Sequence, residues 1–153
     1  MNNLTCDRMK GFLKEIDQDK PQIMIVDDEE PVRRLLGHML KMNGDTCTLA
    51  ADAKEARTFL KDQKFDLILC DVNMPGESGI DFIRYVLSVY PETAVIMVTA
   101  EDDPDVADSA LEIGAYGYII KPFESNEVML NVSNALRRRK LEVENQRHRK
   151  NLE

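Results

Sequence analysis

Five short apolar runs punctuate the chain, and each is followed by a stretch whose apolar residues recur every three or four positions. QIMIV at 22–26 is apolar from Ile23 onward and reads as a buried strand. In PVRRLLGHMLKMNG, Pro31 takes a first helical position, apolar residues fall at 32, 35, 36, 39 and 40, and Gly44 is a stop, which predicts a helix with one buried face. The cycle then repeats. TCTLA is a second strand, KEARTFLKD a helix with Ala56, Phe59 and Leu60 on one side, and FDLILCD a third strand ending on Asp71. NMPGESG is a loop of turn formers in which Gly76 and Gly79 are expected to serve turns, and IDFIRYVLSVY is a helix closed before Pro91. TAVIMVTA is the fourth strand, and DPDVADSALEIGA is the fourth helix, with Asp103 and Asp105 flanking Pro104 as caps. YGYII is the fifth strand, and Lys121, Pro122 and Phe123 lead into a last helix beginning near Ser125 or Asn126.

Five strands alternating with five helices predict an α/β fold: an open, doubly wound parallel sheet covered on both faces. A barrel would need eight such units, which 153 residues cannot supply. Residues 1–21, of mixed charge, read as an arm with one helical turn at MKGFLKEI, residues 22–138 as the domain, and 139–153 as a helical extension or linker. From Val128 no breaker interrupts the last helix before Glu153. Its first half offers Val128, Met129, Val132 and Leu136 to the sheet, whereas its second half has only Leu141, Val143 and Leu152 among charges. Leu141, Asn145, His148 and Leu152 form a thin coiled-coil seam with two polar members. The extension therefore reads as a helix that pairs with a second copy or leads into a further domain, with a frayed tail as the alternative.

Charge separates the body from the tail. Residues 1–136 carry 13 basic and 25 acidic side chains, and residues 137–153 carry seven and three. An acidic body argues against direct nucleic-acid binding, and RRRK at 137–140 reads as a solvated helix end. Cys6, Cys47 and Cys70 are odd in number and unpaired in spacing, against a disulfide framework or a zinc site; Cys47 and Cys70 read as small core residues. No apolar run approaches a membrane span and the first twenty residues lack a secretion signal, so a cytoplasmic protein with no membrane partner is expected.

In an open parallel sheet, ligands gather at the carboxyl ends of the strands, where strand order reverses. Those ends offer Asp27 and Asp28 after strand one, Asp71 after strand three, Thr99 after strand four and Lys121 after strand five; strand two ends in Ala50 and Ala51. Crowded carboxylates repel unless a cation neutralises them, and an oxygen-only set suits Mg²⁺ or Mn²⁺. A metal and a lysine at one place imply an anionic ligand such as a phosphoryl group. With no GxxxxGK[ST] loop to grip a nucleotide, phosphoryl transfer to an aspartate nucleophile remains. On this chemistry alone Asp71 and Asp28 are equal candidates. Glu29 and Glu30 read as helix-capping acids, Glu30 lying close enough to tune hydrolysis, and Lys121 reads as the only basic residue on the rim.

VDDE at 26–29, LILCDVNMPGESGIDF at 67–82, VIMVTA at 95–100 and GAYGYIIKPF at 114–123 resemble, in order and interval, the receiver domain of two-component response regulators over about residues 22–138. The resemblance implies a flavodoxin-like sheet of strand order 2-1-3-4-5. It implies Asp71 as phosphoacceptor, with Mg²⁺ held by Asp28, Asp71 and the backbone carbonyl of Asn73, and by Asp27 through a water. It further implies Thr99 and Lys121 as phosphoryl-binding groups, Thr99 and Tyr118 as the switch pair, and a cis bond between Lys121 and Pro122. A sensor histidine kinase or a small acyl phosphate would be the donor. The protein would catalyse its own phosphorylation and dephosphorylation rather than turn over a substrate.

Output would pass through the face of helix four, strand five and helix five; either that face or the C-terminal helix would be the place for a homodimer contact. Tyr116 and Gly117 stand where relatives of winged-helix regulators carry two acids. The sequence from 114 onward looks more like receivers that precede an ATPase activator or an HD-GYP domain, which implies a C-terminal output domain beyond this chain. Two other classes compete: a Mg²⁺-dependent phosphatase or phosphotransferase, which would want a second acid where Asn73 stands, and a protein-interaction module that keeps the fold without the chemistry.

Overall fold

The computed structural model describes residues 20–100 and 104–152. The helical turn expected at MKGFLKEI, Cys6 and the Asp103 cap lie outside the described residues. Five parallel strands, β1 (Ile23–Val26), β2 (Cys47–Ala50), β3 (Leu67–Asp71), β4 (Ala94–Ala100) and β5 (Gly117–Lys121), form one sheet in the order β2-β1-β3-β4-β5. The intervening helices are α1 (Glu30–Met42), α2 (Ala53–Asp62), α3 (Gly79–Val89) and α4 (Pro104–Ile113), and α5 (Ser125–Leu152) closes the chain. This is the doubly wound arrangement with an extended C-terminal helix that the sequence predicts, in the flavodoxin-like strand order that the resemblance implies.

Burial explains why the central strands lack polar alternation: every residue of β1 and β3 is buried, because helices cover both faces. One core packs Met24, Val26, Ile68 and Met97 against α2, α3 and α4, chiefly through Ala56, Leu60, Phe82, Ile83 and Ala110. The other packs Ile23, Ile25, Leu69 and Ile96 against Leu36 and Leu40 of α1 and Val128, Val132 and Ala135 of α5. At roughly 25 cal/mol per Å² of apolar surface removed from water, these two layers are the main driving force of folding. Cys70 is buried in the first core, but Cys47 is only half-buried, because β2 is an edge strand.

Helix ends follow local chemistry. Asp52 caps α2 by accepting from the Glu55 N–H at 2.8 Å, and Ser78 caps α3 by accepting from the Asp81 N–H at 3.2 Å. Gly44 takes φ +87° just past α1, a conformation that costs a residue with a Cβ. Gly79 departs from the expected turn role. It is the first residue of α3, and a Cβ there would lie 2.0 Å from the Asp71 carbonyl oxygen and 2.6 Å from Val72 Cα. Close approach of two backbones, not a turn, requires glycine at 79, whereas Gly76, at φ +81°, does sit in one.

The basic run at 137–140 is not simply solvated. Arg139 donates to the Glu92 carbonyl at 2.6 Å and pairs with Asp66 at 2.9 Å, while Arg138 lies 4.3 Å over the Tyr116 ring and bonds Glu142. Tyr116 donates its hydroxyl to the same Glu142. Helix α5 is thereby tied to the base of the sheet as it leaves the domain. Leu141 of the expected seam is exposed, and the side chain of Leu152 falls outside the described residues.

Candidate functional site

Strand order places the site. β1 turns toward β2 on one side and β3 toward β4 on the other, so their carboxyl ends flank the point where the order reverses. Register does the rest: Asp71 pairs with Val98, one residue before Thr99, and Lys121 pairs with Ala100. Asp27, Asp28 and Asp71 bring carboxylate oxygens within 4.8 Å of one another, with Asp27 and Asp71 buried and Asp28 open to solvent.

Lys121 closes this cluster. Its Nζ lies 3.0 Å from Asp27 Oδ2, 3.5 Å from Asp71 Oδ2 and 3.8 Å from Glu29 Oε2. Asp27 Oδ1 accepts the Glu29 N–H at 2.9 Å, and Asp71 Oδ1 accepts the Asn73 N–H at 3.1 Å. Burial, then the neighbouring charge of Asp27, push the Asp71 carboxyl up to about 6, against the partial relief of the Asn73 N–H and Lys121. Burial would lower the Lys121 ammonium, but its hydrogen bond to Asp27 and the charges of Asp27, Asp71 and Glu29 outweigh it, and its pKa is raised. The three clustered carboxylates thus face a single lysine ammonium, which leaves the site with an excess of negative charge.

The remaining candidates stand around this core. The Asn73 main chain sits beside Asp71 on an exposed loop. Thr99 is buried, its hydroxyl 3.4 Å from the Ala100 carbonyl and bonded to none of the acids. Tyr118, paired in register with Met97, is 37% exposed, its ring outside the core. The Lys121–Pro122 peptide bond is cis.

Two residues of the site escape sequence reasoning. Glu29 occupies the position before α1 but makes no side-chain cap; its carboxylate faces Lys121 instead. Arg33 donates to the Asp27 carbonyl at 2.6 Å, so Lys121 is not alone among basic residues at the rim. One helical turn separates Arg33 from Glu29, a spacing that could have signalled a shared face. Glu30, by contrast, is turned to solvent with Arg34 at 2.9 Å.

A family model for the response regulator receiver domain matches residues 23–133. The chain belongs to that family. It is 39% identical to the response regulator protein PilR of Pseudomonas aeruginosa over 126 residues, which is 82% of this chain and 28% of PilR. Its fold matches the crystal structure of NtrX from Brucella abortus with a TM-score of 0.80 at 29% identity, over 83% of this chain and 29% of NtrX. It matches a CheY-like receiver domain protein from Methanospirillum hungatei with a TM-score of 0.76 at 25% identity, over 81% of this chain and 99% of that one. The receiver spans 28% to 52% of the length of the first curated relatives it matches. Among the described residues, no helix is long and apolar enough to cross a membrane.

The donor set fits a hard divalent cation. Three carboxylates within reach of one another, none of them beside a histidine or thiol ligand, and a buried Asp71 whose ionisation is disfavoured, describe a place where a small oxygen-seeking ion lowers the energy. Cys70 adjoins Asp71, but burial and the charge of Asp71 hold its thiol far above the ordinary range, so it is no competing ligand or nucleophile.

Proposed function

We propose that this receiver is a phosphoacceptor switch in which Asp71 is the nucleophile. The observation that carries the reading is the placement of a buried carboxylate, Asp71, 3.5 Å from a lysine ammonium at a three-carboxylate cluster. Asp28, Asp71 and the Asn73 carbonyl would hold Mg²⁺ or Mn²⁺, with Asp27 acting through a water. When bound, the ion supplies positive charge to the acids and to the incoming phosphoryl oxygens. One Asp71 oxygen attacks phosphorus, its bond to the donor's leaving group breaks, and the aspartyl phosphate forms. Lys121 stands beside that carboxylate to take a phosphoryl oxygen, and the Thr99 hydroxyl, bonded to none of the acids, can turn to another. Attack of water on phosphorus breaks the phosphorus–oxygen bond to Asp71, releases inorganic phosphate and regenerates the carboxylate.

The exposed Tyr118 ring supports a resting state, with phosphorylation shifting the population toward one in which Thr99 is drawn in and Tyr118 buried. The changed α4–β5–α5 face and the α5 extension would relay the state, the latter as a linker or a weak homodimer contact. The donor would be a sensor histidine kinase or a small acyl phosphate, acting on a cytoplasmic receiver. We assign residues 22–138 to the receiver and 139–153 to the extension, leading toward a C-terminal output domain. NtrX, crystallised with ADP and with ATP, is one such longer relative.

Intact mass after incubation with acetyl phosphate and Mg²⁺ tests the reading. One added phosphoryl group is expected, lost in Asp71→Ala and in EDTA. Turnover on diverse phosphoesters would point to an enzyme, and no label under any donor would defeat the proposal.

A further inference from the structure

Strand β2 gives the rim no side chain, yet the helix that follows it reaches the site's loop. Arg57 of α2 grips Glu77 with two hydrogen bonds, Nε to Oε2 at 3.1 Å and a shorter one from Nη2 to Oε1. Both side chains are about two-thirds covered, at 36% and 30% exposure, so the pair is less screened than an open surface bridge. The guanidinium carbon also lies 3.9 Å from the centroid of the Tyr85 ring on α3. Arg57 is thus held from two sides.

The loop it grips is the one that carries Asn73. Gly76 takes φ +81° and Asn73, Pro75 and Gly76 are exposed, so the middle of this loop buries little side-chain surface of its own. Met74 inserts into the core, and the Asn73 and Gly79 N–H groups bond Asp71 and Val72 within the loop and its flanks. Among the described residues, the Arg57–Glu77 pair is the one polar tie from residues 73–77 to another helix.

We infer that Arg57 is a positioning residue for the divalent-cation site: its fork on Glu77 holds the 72–78 loop so that the Asn73 main chain stays beside Asp71. The inference rests on the phosphoacceptor reading above. A loop free to leave this arrangement binds the ion only in the fraction of molecules that retain it, and the apparent dissociation constant rises by the inverse of that fraction. Lysine keeps the charge but cannot form the fork.

Thermal unfolding of the whole chain across a MgCl₂ series, for wild type, Arg57→Ala, Arg57→Lys and the Arg57→Glu/Glu77→Arg exchange, tests this. Both single variants should need about threefold to tenfold more Mg²⁺ for the same rise in Tm, and the exchange should recover most of the loss. In ¹⁵N spectra the Asn73 amide should follow the same concentration dependence. A lower metal-free Tm with unchanged Mg²⁺ dependence would make the pair merely structural and overturn the inference, as would wild-type affinity in Arg57→Lys. If wild type itself shows no response to Mg²⁺, the phosphoacceptor reading falls and takes this inference with it; a wild-type response that Arg57→Ala shares overturns this inference alone.

Discussion

Replacing Asp71 with asparagine should stabilise the metal-free protein, although it removes the proposed nucleophile. The carboxyl titrates near 6 in the fold against 3.8 for an unperturbed group. Its folded pKa is raised, so the folded state holds the proton more tightly than the unfolded chain. The penalty is therefore absent below about pH 3.8, grows as pH rises through the window to about 6, and is complete above it. About two pKa units correspond to roughly 3 kcal/mol, an upper figure for a group coupled to Asp27 and Lys121. Asparagine keeps the shape and can still accept the Asn73 N–H. Urea unfolding followed by far-ultraviolet circular dichroism in EDTA should show Asp71→Asn more stable than wild type by about 1–3 kcal/mol at pH 7.5, with about half of that gain gone at pH 5. Mg²⁺ at 100 times its dissociation constant should add about 2.7 kcal/mol to wild type and far less to the variant. An Asp71→Asn protein no more stable than wild type at pH 7.5, or an advantage that does not shrink at pH 5, would refute the claim that the fold disfavours this charge.

Three further substitutions test the framework around the site. Gly79→Ala drives a methyl into the Asp71 and Val72 backbone, so it should cost on the order of 3 kcal/mol and abolish Mg²⁺-dependent stabilisation; tolerance in both assays would contradict the close approach. Gly37→Ala is the opposite case: its Cβ would sit 3.5 Å from Cys47 Sγ and 3.6 Å from Leu49 Cδ2, ordinary contacts, so relief of mid-helix glycine should raise stability by up to ~1 kcal/mol in denaturant melts. Arg139→Ala removes the ties to Asp66 and the Glu92 carbonyl and should cost about 1–2 kcal/mol in the same melts while leaving acetyl phosphate labelling intact; lost labelling would place the base tie in the chemistry.

Much of the architecture was legible because its causes are local. Strands buried on both faces show as unbroken apolar runs, and β1 and β3 each hand their last apolar residue to an acid at the rim. Once the strand order is known, Asp27, Asp71, Thr99 and Lys121 must converge. What the sequence hid depends on contacts between distant positions. Arg139 reaches Glu92 across 47 residues, and Arg57 reaches Glu77 across 20. A charge run reads as solvated until the base of the sheet is placed beneath it. Gly79 looked like a turn residue because its neighbours are turn formers, whereas its reason is the backbone of Asp71 behind it. Glu29 looked like a helix cap because it stands where caps stand; only the fold shows Lys121 opposite it.

Borohydride reduction of the acetyl phosphate-treated protein, followed by peptide mass mapping, addresses the central claim most directly, because hydride converts an aspartyl phosphate to homoserine in place. The account predicts homoserine at position 71 alone, dependent on Mg²⁺ and absent after Asp71→Asn. Reduction at position 28 instead, or at no aspartate in protein shown by mass to carry phosphate, would contradict it.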